Sequence, residues 1–321
     1  MADDGNSNSA TDNSASDTSE AASTSPNGTT VLILFVLGLA FALILVINRI
    51  AADSGIPFVP YVFWQTFGGT VILLVLAVIL GSLPPRTWAH VRVYVVTGIL
   101  NLTIPYLIFA FVAAKVPSGI LSLGLSLVPV SIYALALILR LDRFQVGRFF
   151  GILLGLGGVL LVLLPETSLP APEMVGWVAL GFVAPLCYAL NAVFVAMLRP
   201  PEGNSVQFAG GLMFMGSIAM LVVMAVTGEW WAFGGEFGAG HWATIAAMGV
   251  NALAFYMIFE LIARAGPVYF SMSNYVATLA GMGFGIWIFA DTPSLWIWAA
   301  LVMIGVSLFL VNFFTANNQG H

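Results

Sequence analysis

The sequence predicts an all-α integral membrane protein of ten transmembrane helices, arranged as two inverted five-helix repeats around a central cavity. Three observations carry that prediction. The 321 residues are 60% hydrophobic and 7% charged, with a mean hydropathy of +1.02. This is too apolar and too charge-poor to give a soluble globule a wetted surface. The apolar residues gather into stretches of about 20, the length that crosses a hydrocarbon core of about 30 Å as a helix. Finally, a polar motif of the first half returns in the second.

Taken in order, the expected spans are residues 30–51, 59–81, 89–114, 117–138, 146–165, 174–198, 206–227, 241–263, 267–289 and 294–315. Little chain is left for an extramembrane domain. Residues 1–29, rich in Ser, Asn, Asp and Thr and lacking Lys and Arg, read as a disordered cytoplasmic tail rather than a signal peptide. Residues 30–165 form the first five-helix repeat, 174–315 the second, and 316–321 a short cytoplasmic tail. The net charge of −5 comes largely from Asp3, Asp4, Asp12, Asp17 and Glu20 in the first tail. Cys187 lies within a span and has no second cysteine to pair with.

Orientation follows from the basic residues. Arg86, Arg92, Arg140, Arg143, Arg148, Arg199 and Arg264 fall on the side of both termini, and only Arg49 and Lys115 on the other. The positive-inside rule then makes both termini cytoplasmic.

The repeat is read from ordered identities. LNLTIPYLIFAFVAAKVP, Leu100 to Pro117, matches VNALAFYMIFELIARAGP, Val250 to Pro267, at an offset of 150. Asn101 meets Asn251, Tyr106 meets Tyr256, and Pro117 meets Pro267. Gln65 to Gly69 (QTFGG) matches Gln207 to Gly211 (QFAGG), and Asn48 matches Asn191. Five helices per half is an odd number, so the second repeat enters the membrane from the opposite side, and inverted repeats are a transporter architecture.

These motifs resemble the EamA-type branch of the drug/metabolite transporter superfamily, over about residues 31–315. The resemblance implies a cavity lined mainly by the first, third, fourth, sixth, eighth and ninth spans. Many members export amino acids or other metabolites, and this aromatic-rich, charge-poor interior is most similar to that of the aromatic amino acid exporters.

The interior excludes several substrates. Intramembrane Arg and Lys clamps for phosphate are missing, which disfavours sugar phosphates and nucleotide sugars. The small multidrug branch carries a glutamate in its first helix, whereas only Asn48 is polar here before Arg49. Neutral polarity and aromatic surface remain. The candidate substrate-binding residues are Asn101, Tyr106, Ser122, Tyr188, Asn191, Asn251, Tyr256, Asn274, Tyr275 and Trp287. Amides and hydroxyls hydrogen-bond both ends of a zwitterion, and aromatic rings hold an apolar side chain. Each could equally serve helix packing alone.

Glu260 and Arg264 stand four apart and read as an ion pair or a proton site. At 100° per residue, Glu260 and Asn251 face opposite ways. Pro105, Pro129 and Pro185 are expected to bend the third, fourth and sixth spans. At the counterpart of Pro129, Leu279 precedes GMGFG, which reads as a flexible segment. Gly147, Gly151 and Gly155 form a close-packing face for a dimer or for another helix of the same chain.

His90, His241 and His321 are too scattered for a metal or a triad. The sequence offers no nucleophile–base pair, nucleotide-binding loop or basic nucleic-acid footprint. The expectation is therefore a transporter that is not an enzyme and needs no cofactor. It would sit as a monomer or homodimer among the lipids of a plasma membrane, the bacterial inner membrane, with a small neutral or zwitterionic molecule as substrate. An exporter of another neutral metabolite or drug, or a membrane enzyme, is the alternative.

Overall fold

The structure is a computed structural model that describes residues 28–316 except 141–143, 165–167, 199, 201 and 235. Most of the two expected tails, Arg143, Arg199 and the side chains of Arg148, Pro267 and Ser271 lie outside the described residues.

All secondary structure among the described residues is helical. The elements are α1 (Gly28–Asp53), α2 (Phe58–Ile79), α3 (Trp88–Thr97), a π-helical turn (Gly98–Thr103), α4 (Ile104–Val112), α5 (Ser118–Leu125) and α6 (Val128–Ile138). They continue with α7 (Val146–Leu163), α8 (Met174–Gly181), α9 (Val183–Leu198), α10 (Ser205–Thr227), α11 (Ala239–Ser271), α12 (Ser273–Phe289) and α13 (Leu295–Ala316). Every expected span falls on helix. Among the described residues seven stretches are long and apolar enough to cross a membrane: Gly28–Asp53, Phe58–Ile79, Trp88–Val112, Ser118–Ile138, Met174–Val195, Ser205–Thr227 and Ala239–Ala265. The apolar helices at 149–163 and 295–307 are shorter. One boundary moves: α11 continues through the expected break after residue 263 and gives way to α12 at Met272.

The three prolines sit where the helical ladder is interrupted. A proline has no N–H to give the carbonyl four residues back, and its ring crowds that carbonyl. Pro105 follows the π-turn, whose wider winding absorbs the lost bond while the Thr103 hydroxyl donates to the Gly98 carbonyl at 2.9 Å. Pro129 opens α6 after a break at Ser126 and Leu127, and Pro185 lies in the first turn of α9 after a break at Phe182. In the second half α12 is uninterrupted, and Gly281 and Gly285 are contact points, while Gly283 faces open space. A Cβ on Gly281 would lie 2.5 Å from that of Ser122, and one on Gly285 would lie 2.9 Å from Asp291 Oδ2.

Packing pairs α2 with α10, α5 with α12 and α7 with α13. Helix α1 packs on α11 and α12, while α9 packs on α6 and on the α3–α4 span. Glycine permits the closest approaches: a Cβ on Gly98 would stand 2.8 Å from the Gly216 backbone nitrogen, so α10 and the π-turn meet backbone to backbone. The glycine face of α7 seats α13 of the same chain. The Ser307 hydroxyl donates to the Gly151 carbonyl at 2.6 Å, and Gly155 faces Ser307 and Val130. Large apolar side chains cover the outside, as lipid contact requires; Trp287 is 82% exposed and Val226 81%.

Candidate functional site

A cavity of about 540 Å³ lies at the centre of the bundle, walled by all or part of α1, α3, the π-turn, α4, α5, α6, α9, α10, α11 and α12. Its volume falls within the range of small-molecule pockets. Among the described residues the polar lining consists of Asn48, Asn101, Asn191, Asn251, Asn274, Tyr94, Tyr106, Tyr188 and Thr97, and none of the lining residues carries a formal charge. Six phenylalanines, Phe41, Phe109, Phe208, Phe255, Phe259 and Phe270, supply aromatic surface between them. Phe208 stacks on Phe259 at 5.8 Å, and Tyr94 meets Phe208 edge-on at 6.0 Å.

The sequence candidates divide. Asn101, Tyr106, Tyr188, Asn191, Asn251 and Asn274 come together on the cavity wall, as does Pro129. Ser122, Tyr256, Tyr275 and Trp287 do not. Ser122 is fully buried between helices, its hydroxyl donating to the Gly119 carbonyl at 2.7 Å and the Thr278 carbonyl at 3.2 Å, so its polarity is consumed by helix packing. Trp287 points outward from α12, as its exposure requires. Tyr275 packs into one apolar cluster and Tyr256 into another, beside Leu73 and Leu102. Glu260 and Arg264 pair with each other at 2.6 Å outside the cavity lining.

Sequence reading overlooked Tyr94, Thr97, Phe41 and the aromatic wall. The signal was present. Tyr94, Thr97 and Asn101 are spaced by three and four, as are Phe41, Ile44, Leu45 and Asn48, the spacing that shares one helix face.

The two ends of the cavity differ. The α1 lining stops at Asn48, whose Oδ1 accepts the Tyr61 hydroxyl at 2.7 Å. One residue on, Arg49 Nη1 lies 3.0 Å from both carboxylate oxygens of Asp291, with its guanidinium 4.0 Å over the Phe289 ring. Ala290 makes this possible, because its left-handed φ of 53° ends α12 and turns the chain into Asp291. Nearer the start of α5, Lys115 Nζ sits 3.7 Å from the Trp177 ring centre and 4.5 Å from that of Phe111. These contacts cross-link the helices at this end, which we call the sealed end. At the other, the lining runs to Tyr94 and Val93 in α3, Ile132 in α6, Val195 in α9 and Pro200 beside the start of α10. There the Tyr94 hydroxyl, the Thr97 hydroxyl and Asn191 Oδ1 have no hydrogen-bond partner among the described residues.

Residues 28–164 match the EamA-like transporter family. Protein PecM of Dickeya dadantii (strain 3937) is 26% identical over 209 residues, 64% of this chain and 67% of that protein. A crystal structure of a protein 16% identical in sequence superposes with a TM-score of 0.62, covering 89% of this chain and 99% of the other, which is a likeness of fold. With its apolar helices and the family match over its first half, the chain is an integral membrane protein.

Proposed function

We propose that the whole chain is a transporter of the EamA-like type, which moves a small neutral or zwitterionic molecule by exposing the central cavity alternately to the two sides of the membrane. The family match over the first half supports the class. The observation that carries the substrate reading is a cavity wall of asparagine, tyrosine and phenylalanine with no formal charge. Amides donate to a carboxylate and accept from an ammonium, while the rings attract the cation and accommodate an apolar side chain. Aromatic and other large apolar amino acids fit this chemistry best, and export is the direction that the family resemblance favours.

On this reading ten helices cross the membrane, as inverted repeats over residues 30–165 and 174–315. The packing pattern supports it, because exchanging the halves maps α1 on α11 and α12 onto α9 on the α3–α4 span and α6. Both termini are cytoplasmic in a bacterial inner membrane, the sealed end of the cavity faces outward, and the open end faces the cytoplasm.

Purified protein in liposomes tests the proposal. Labelled phenylalanine, tryptophan, methionine or leucine should be carried in counterflow and compete with one another, whereas sugar phosphates should not. Transport of a neutral non-amino-acid metabolite alone would replace the substrate. Absence of flux across the panel, with turnover of a lipid-like substrate, would make the chain a membrane enzyme instead.

A further inference from the structure

The two asparagines of the repeated motif differ in what they have left to offer. Asn251 is fully buried although its α11 position borders the cavity. Its amide nitrogen donates to Gln65 Oε1 at 2.9 Å and to the Ala247 carbonyl at 2.9 Å, and its oxygen accepts the Tyr106 hydroxyl at 2.5 Å. A primary amide has two hydrogens to donate. Both are committed, so Asn251 has no donor for a substrate in this state. The knot ties α11 to α2 and α4, joining the halves beside the sealed end.

The counterparts of Tyr106 and Asn251 at the repeat offset are Tyr256 and Asn101. Neither makes a side-chain hydrogen bond among the described residues, and the two are not bonded to each other. Asn101 is half-buried on the cavity wall, in the π-turn. Tyr256 is half-buried against the apolar cluster that includes Leu73 and Leu102. The bond that exists between one tyrosine and the other half's asparagine is thus missing from the mirror pair.

Resting on the transporter reading, we infer that Asn101 and Asn251 exchange roles during transport: the asparagine on the open side contacts the substrate while the other, held by its tyrosine, locks the sealed side. Inverted repeats reach the second state by exchanging conformations. In that state Tyr256 donates to Asn101 Oδ1, the Tyr106 bond is broken, and Oδ1 of Asn251 is released to accept from the substrate. One hydroxyl-to-amide bond replaces another, so this contribution cancels between the states and neither becomes a trap. Gln65 does not take part symmetrically. Its counterpart Gln207 is held in the capping box of α10 with Asn204 and donates to the Leu83 carbonyl, so the exchange rests on the tyrosine–asparagine pairs. A substrate read by a single free amide must carry a donor and an acceptor at one end, as the ammonium and carboxylate of an amino acid do.

The experiment compares Tyr106→Phe with Tyr256→Phe. Val195→Cys, on the open part of the wall, reports the state in a Cys187→Ala background through its rate of reaction with a membrane-impermeant maleimide applied to that face of sided vesicles. Loss of one hydrogen bond is expected to shift the equilibrium by about two- to tenfold. Tyr106→Phe should slow labelling by that factor, Tyr256→Phe should speed it, and the double variant should return close to the parent rate. A role in packing alone would not produce opposite shifts that cancel. Should Tyr106→Phe not fold, Gln65→Met removes another bond to Asn251 and carries the same expected direction. Shifts in the same direction, or none in folded protein, overturn the exchange. Counterflow of labelled phenylalanine by the parent protein is measured in parallel. Flux without opposite shifts refutes the exchange and leaves the transporter reading intact, whereas opposite shifts with no flux across the whole panel refute the substrate reading alone.

Discussion

The two ends of the cavity are finished with different residues: charged groups gather at one, and neutral polar groups line the other. At the sealed end Tyr61 is hydrogen-bonded to Asn48, Arg49 to Asp291, and Lys115 lies against two aromatic rings. At the open end Tyr94, Thr97 and Asn191 offer polar atoms that nothing among the described residues satisfies, while near the sealed end Ser118 Oγ and Gln65 Nε2 are left unpaired beside the bonded groups. Buried polar atoms are costly unless paired, so the three that line the open end of the cavity are where another state, or a ligand, has stabilisation to add.

The largest test of this contrast is Asp291→Ala. It leaves the partly buried Arg49 guanidinium with only the exposed Asp53 carboxylate, 3.8 Å from Nε, and loss of a charge-assisted bond costs about 1.5–3 kcal/mol. Thermal unfolding in detergent should register the loss, and a cysteine near Arg49 should become reachable from the sealed face. An unchanged midpoint with no new access would reduce the pair to surface decoration. Lys115→Met retains the stem and removes the cation from Phe111 and Trp177, for an expected loss of about 0.5–2 kcal/mol by the same assay.

The sharpest comparison is a single substitution made at both ends. Tyr61→Phe removes the donor that Asn48 uses and should destabilise by about 0.5–1.5 kcal/mol. Tyr94→Phe removes a hydroxyl that has no partner, so stability should stay level or rise slightly. Equal losses at both positions would show that the ends are alike in energy.

Membrane class, the positions of the helices and the chemistry of the interior were legible in the sequence, because each depends on composition or on spacing along one chain. A hydrophobic run of sufficient length has to be helical in lipid, since its backbone polar groups find no other partner there. The repeated asparagines were legible for the same reason, as were the prolines that stand at the interruptions of α4, α6 and α9. Periodicity also placed Tyr94 and Thr97 on the face of Asn101, although polarity alone did not single them out.

What periodicity leaves open is the rotation of each helix about its own axis within the bundle, and packing decides that. Ser122 and Trp287 look as eligible as Asn101 in the sequence; one is spent against α12 and the other faces the surroundings of the bundle. Hydrogen-bond saturation is likewise a tertiary quantity. Asn101 and Asn251 occupy equivalent positions in matching motifs, yet only the second meets Gln65 and Tyr106, residues 186 and 145 positions away. Arg49 and Asp291 are 242 residues apart and become partners only because α1 packs on α12 and Ala290 turns the chain back toward it. The sequence by itself determined which groups an apolar interior would contain. Only the tertiary structure decided which of them are already paired, because pairing depends on distances between helices that no spacing along the chain encodes.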